Sequence, residues 1–77
     1  MNKNELNIRV LATIRTDLHA KRMALKGILQ EHYEGNEELD YVLEHNLNEA
    51  IIDLNSTITA LNYAIDRMNE LKDVSNN

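Results

Sequence analysis

The chain has 77 residues, with no cysteine, no proline, two glycines and a formal net charge of −5. A single core built from so few residues contributes only roughly 3–5 kcal/mol, so oligomerisation is the expected additional source of stability. The missing cysteines exclude disulfides and thiolate metal sites, and the negative charge disfavours nucleic acid as the main partner. No apolar run is long enough to span a bilayer, and the N-terminus lacks the apolar stretch of a secretory signal. We therefore expect a single cytoplasmic domain that does not contact membranes.

The first helical pattern covers residues 4–33, where leucines recur every seven residues at Leu11, Leu18 and Leu25. Ile14 and Ile28 fall between them in the pattern. This spacing places the apolar side chains on one face of a helix.

A row of basic residues follows the same helix in steps of four, three and four. Its members are Arg15, His19, Arg22 and Lys26. Such a row can bind an anion or follow a line of phosphates. Carboxylates at Glu44, Glu49 and Asp53, on the facing helix or on a neighbouring protomer, can instead neutralise it. We favour the ion-pair interpretation and keep anion binding as the alternative.

Residues 34–36 form the only strong break between the two helical patterns. Gly35 suits the left-handed residue that ends a helix, and Asn36 suits the N-cap of the next helix. A connection this short makes the two helices antiparallel neighbours. Counting outward from it places Leu18 opposite Leu54.

The second helical pattern covers residues 37–74 and repeats every seven residues, with a column of leucines beside a column of isoleucines. A strict seven-residue apolar repeat keeps one seam of a helix against a partner helix. Since one neighbouring helix cannot cover both columns, we predict an all-α antiparallel helical hairpin that dimerises into a four-helix bundle. The predicted oligomer interface comprises Leu47, Ala50, Ile51, Leu54, Thr57, Ile58, Leu61, Ala64, Ile65 and Met68. In its alternation of small and large core positions the pattern resembles the Rop family of dimerising helical hairpins, a likeness of pattern from which no residue role is transferred.

Two further features are candidate sites. A column of asparagines shares one edge of the second helix, where it can bind a ligand or fix the register of packing. This column comprises Asn48, Asn55, Asn62 and Asn69. A patch beside the turn can anchor a partner protein or close the end of the bundle. This patch comprises Tyr33, Leu39, Tyr41 and Val42.

The sequence contains no nucleophile–base motif, no glycine-rich phosphate loop and no Glu-x-x-His spacing of a metal-binding bundle. We therefore expect no enzymatic activity, no catalytic residue, no metal and no cofactor. The leading hypothesis is a homodimeric interaction protein that regulates or inhibits a partner protein, as small accessory proteins of phages and mobile elements often do. The alternatives are RNA binding through the basic row and sequestration of a small anionic nucleotide between protomers, in a pocket lined by the asparagine column with Arg15 or Arg22.

Overall fold

A computed structural model describes residues 2–35 and 40–75, with side chains for residues 2–35 and 40–71. This part of the chain forms two helices, α1 (Lys3–Gly35) and α2 (Tyr41–Ser75), which pack against each other as a hairpin. The hairpin is a rod with extents of 62 × 17 × 12 Å. The predicted all-α helical hairpin is therefore confirmed. Neither α1 nor α2 is long and apolar enough to cross a membrane.

Both helices begin with a polar cap. At the start of α1, the Asn2 side chain accepts a hydrogen bond from the backbone N–H of Glu5 at 2.8 Å. At the start of α2, the Asp40 carboxylate accepts hydrogen bonds from the N–H groups of Val42 and Leu43, each at 3.1 Å. Each cap satisfies amide groups that the first turn of a helix leaves unpaired.

The connection between the helices differs from the predicted turn. Gly35 is the last residue of α1 and has no positive φ, so the predicted left-handed conformation at Gly35 is wrong. The predicted cap Asn36 lies outside the described residues, and Asp40 caps α2 instead. The Nε2 atom of His32, in the last turn of α1, accepts a hydrogen bond from the Asp40 N–H at 3.2 Å and ties this cap to α1.

Hydrogen bonds between the helices define their register. They join Arg15 to Asn62, Arg22 to Asn55 and Tyr33 to Glu44. In each pair the two residue numbers add up to 77, as antiparallel packing requires. The predicted pair of Leu18 and Leu54 adds up to only 72, so the predicted register is wrong by about five residues. The reason is that the connection is centred midway between Gly35 and Tyr41, later in the chain than the predicted turn.

The buried core of the described hairpin is the isoleucine column of α2. Its members Ile51, Ile58 and Ile65 are 8%, 5% and 7% exposed. The observed register places this column against the leucine column of α1, whose members Leu11, Leu18 and Leu25 are half-buried. The isoleucine column therefore lies inside the hairpin, whereas the sequence assigned it to the oligomer interface.

Candidate interaction surfaces

One long side of the hairpin, which we call the polar face, carries two arginines paired with two asparagines. The Arg15 side chain donates a hydrogen bond from Nη1 to the Asn62 side-chain oxygen at 2.8 Å. The Arg22 side chain donates in the same way to Asn55 at 2.7 Å. The basic row of α1 and the asparagine column of α2, which the sequence presents as separate features, therefore meet along one seam.

The same register extends the seam in both directions. Asn69 lies beside Ile8 and Arg9 at the end of the hairpin away from the connection. Toward the connection, Asn48 lies close enough to the Tyr33 hydroxyl to lower its pKa. All four members of the asparagine column thus contact or neighbour α1, so the column lies at the helix–helix boundary.

The charges of the two arginines are not neutralised by carboxylates within the described part of the chain. Their hydrogen-bond partners are the neutral oxygens of Asn55 and Asn62, rather than the predicted acids of α2. Both arginines are half-buried, and the Arg22 Nε atom is buried without a hydrogen-bond partner. A partly buried charge is stabilised best by an opposite charge, and neither guanidinium group has an ion-pair partner among the described residues.

The other two members of the basic row flank the seam on its α1 side. His19 is half-buried and Lys26 is exposed. Each lies four residues after one of the two arginines, and helix periodicity turns it further away from α2 than that arginine. The opposite wall of the polar face, on α2, carries Ile52, which is 54% exposed.

The predicted patch beside the turn is divided between two environments. The Tyr33 hydroxyl donates a hydrogen bond to the Glu44 carboxylate at 2.8 Å, which joins α1 to α2 near the connection. This hydrogen bond, with smaller effects from desolvation and from the Glu44 charge, raises the pKa of Tyr33 from its ordinary 10.0, while the nearby Asn48 side chain has the opposite, smaller effect. Tyr41 and Val42 are 75% and 71% exposed, and Leu39 lies outside the described residues.

The opposite long side of the hairpin, which we call the open apolar face, carries the rest of the predicted interface, whose apolar side chains are mostly half-buried. One column on α1 and two columns on α2 contribute to it. The α1 column comprises Ile14, Lys21 and Ile28. The two α2 columns comprise Leu47, Leu54, Leu61 and Met68, and beside them Ala50, Thr57 and Ala64. Ile14 and Ile28 are 43% and 50% exposed. The Lys21 ammonium points to the surface, where it pairs with Asp17 at 2.8 Å.

The part of the chain that the structure describes contains no group of three His, Asp or Glu side chains able to hold a metal ion. Two shallow surface depressions, of about 260 and 280 Å³, lie near the end of the hairpin away from the connection, beside Arg9. The sequence analysis placed the asparagine column with Arg15 or Arg22 in a pocket between protomers, and it missed their direct pairing within one hairpin.

Comparison with known proteins adds no assignment. No family model, no curated protein and no solved structure matches this chain.

Proposed function

We propose that this chain is a small non-enzymatic interaction protein, a hairpin that pairs with a second copy into a four-helix bundle and regulates a partner protein. The observation that supports the proposal is the division of the hairpin into an open apolar face and a polar face. The apolar face serves the second copy, and the polar face remains available to the partner.

The surface area of the hairpin supports the pairing. The radius of gyration is 17.6 Å, whereas a compact domain of this length has one of roughly 11–12 Å. The accessible surface is 5729 Å² for a chain of 8.9 kDa, whereas a compact monomer of that mass exposes about 4,800 Å². The excess of about 900 Å² is close to the roughly 800 Å² that each partner buries in a standard protein interface.

The composition of the open apolar face favours another helical hairpin as its occupant. Residues 54–65 of α2 contain no charged side chain. Ala50, Thr57 and Ala64 recur every seven residues beside the leucine column, and such small side chains allow two helices to approach closely. A second copy presents the same columns, so a two-fold pairing matches small positions with leucines.

The test uses a matched pair of threonines on α2. Thr57 lies on the open apolar face, and Thr59 lies two residues further along, on the polar side; both are exposed. Each donates its hydroxyl to the carbonyl oxygen four residues earlier at 3.0 Å. The variants Thr57→Arg and Thr59→Arg therefore make the same chemical change in the same local structure.

Molar mass is measured by light scattering after size-exclusion chromatography, and helicity by far-UV circular dichroism. We expect wild type and Thr59→Arg to be dimers and Thr57→Arg to be a helical monomer. A wild-type protein that is monomeric at micromolar concentration would refute the pairing, as would a Thr57→Arg variant that remains a dimer.

A further inference from the structure

The two arginines of the polar face have more hydrogen-bonding capacity than the hairpin uses. A guanidinium group has five N–H donors, and the structure shows one hydrogen bond from Arg15 and one from Arg22, each to a neutral asparagine. The asparagines hold the guanidinium groups in place without neutralising them. The seam is thus a pair of oriented, partly dehydrated cations separated by two helical turns.

We propose that this pair is the docking site for an acidic helix of the regulated partner, whose two carboxylates, seven residues apart, reach Arg15 and Arg22. The proposal rests on the proposed function, since it names the chemistry of that partner. Arg15 and Arg22 are themselves seven residues apart, which is about 10.5 Å along a helix. A helix lying alongside the hairpin presents groups at positions i and i+7 with the same spacing and on the same side.

Charge complementarity selects a short acidic helix over a nucleic acid. The chain as a whole carries a charge of −5, and α2 adds exposed carboxylates at Glu49, Asp53 and Asp66 that form no ion pair within the described chain. These groups repel an extended polyanion. A protein helix can place only two carboxylates at the arginines and keep the rest of its surface neutral.

The shape of the polar face also favours a helix over a small ligand. Small molecules bind in concave pockets that enclose most of their surface, whereas the Arg–Asn seam runs along the side of a rod 62 Å long. Beside the seam, Ile52 is 54% exposed and offers an apolar contact that an amphipathic helix uses. Lys26, one turn after Arg22, extends the positive edge.

The experiment uses two synthetic alanine-based helical peptides of identical composition. One carries its two glutamates seven residues apart, and the other carries them five apart, which places the carboxylates on different sides of the helix. Each peptide is titrated into isotope-labelled protein at low salt, and binding is followed by NMR of the backbone amides and the arginine side chains. The variants are Arg15→Gln, Arg22→Gln and the double variant, and the control is Arg67→Gln, an exposed arginine of α2 that pairs with Glu70 outside the seam.

We expect the peptide with seven-residue spacing to bind about fivefold more tightly than the other, which corresponds to about 1 kcal/mol from the second ion pair that only this spacing allows. Arg15→Gln and Arg22→Gln should each reduce this preference, and Arg67→Gln should retain it. Equal binding of the two peptides would overturn the proposal. Unchanged binding of the seven-residue-spaced peptide to the double variant Arg15→Gln with Arg22→Gln would overturn it as well. Tighter binding of a short single-stranded RNA than of either peptide would also overturn it and would favour nucleic-acid recognition.

The same titration on Thr57→Arg separates this proposal from the pairing of two copies. The substitution lies on the open apolar face, so a monomeric variant should still prefer the peptide with seven-residue spacing. A wild-type protein that is monomeric yet keeps the peptide preference would refute only the dimer, and a dimeric wild type that binds both peptides equally would refute only the acidic-helix site.

Discussion

The isoleucine column provides a quantitative test of where the core lies. Ile58 is 5% exposed, whereas Ile52, on the same helix, is 54% exposed. Replacing a buried isoleucine by alanine generally costs about 2–5 kcal/mol. Only one neighbouring helix covers Ile58 in the hairpin, so we expect the lower part of that range, about 2–3 kcal/mol. The matched change Ile52→Ala should alter stability by less than about 0.5 kcal/mol, because it removes little buried surface.

Such a cost is large for this chain. A domain of this size has a total stability of roughly 3–5 kcal/mol if it folds alone. One kcal/mol shifts the midpoint of thermal unfolding by about 4–8 °C for a domain of 60–100 residues. Ile58→Ala should therefore lower Tm by about 10–20 °C, while Ile52→Ala should leave it within a few degrees.

Thermal unfolding is followed by far-UV circular dichroism at several protein concentrations. A dimer predicts that Tm rises with concentration for the wild type and for both variants. Equal losses for Ile58→Ala and Ile52→Ala would show that the two side chains have similar surroundings, and the assignment of the core would then be wrong.

Three further predictions concern the cap, the open apolar face and pH. Asp40→Ala removes the acceptor of two backbone hydrogen bonds and should destabilise the protein by about 1 kcal/mol in urea unfolding, whereas Asp40→Asn should retain most of the stability. Lys21→Leu removes an exposed ion pair of small value and fills the apolar column, so it should raise Tm if a second copy covers that face, and should promote aggregation without a rise in Tm if none does. The raised pKa of Tyr33 means that its contribution to stability is complete below the ordinary tyrosine pKa of 10.0 and is lost as the pH rises through the folded-state value. Glu44→Gln should lower the Tyr33 pKa in a spectrophotometric titration, and an unchanged titration curve would contradict the assigned hydrogen bond.

The seven-residue repeats and the single break between them were sufficient to predict a helical hairpin. They were not sufficient to predict its register, because that depends on where the connection is centred. Gly35 tolerates helical geometry as well as the left-handed geometry of a helix end, so its identity does not determine where α1 stops. Asp40 and Asn36 are both good N-caps, and the sequence pattern alone does not choose between them.

The candidate sites were predicted only in part for a related reason. The basic row and the asparagine column were each recognised along their own helix, but the contact between Arg22 and Asn55 depends on the register. The same uncertainty affected the isoleucine column, because two adjacent apolar columns on α2 are equally suited to face α1. The polar pairs on one side of Ile58 show which column faces inward, and this information comes only from the three-dimensional structure.

The Arg–Asn pairs have a consequence for how this rod could misassemble. Because the asparagines recur at the same interval as the arginines, sliding one helix by seven residues would bring Arg15 to Asn69 and Arg22 to Asn62, with the number of such pairs unchanged. These polar contacts therefore specify the register of the two helices only to within a multiple of seven residues. The covalent connection between the helices, together with the hydrogen bond from Tyr33 to Glu44 beside it, selects one of these registers. Cutting or lengthening that link would leave two helices with several nearly equivalent ways to pair.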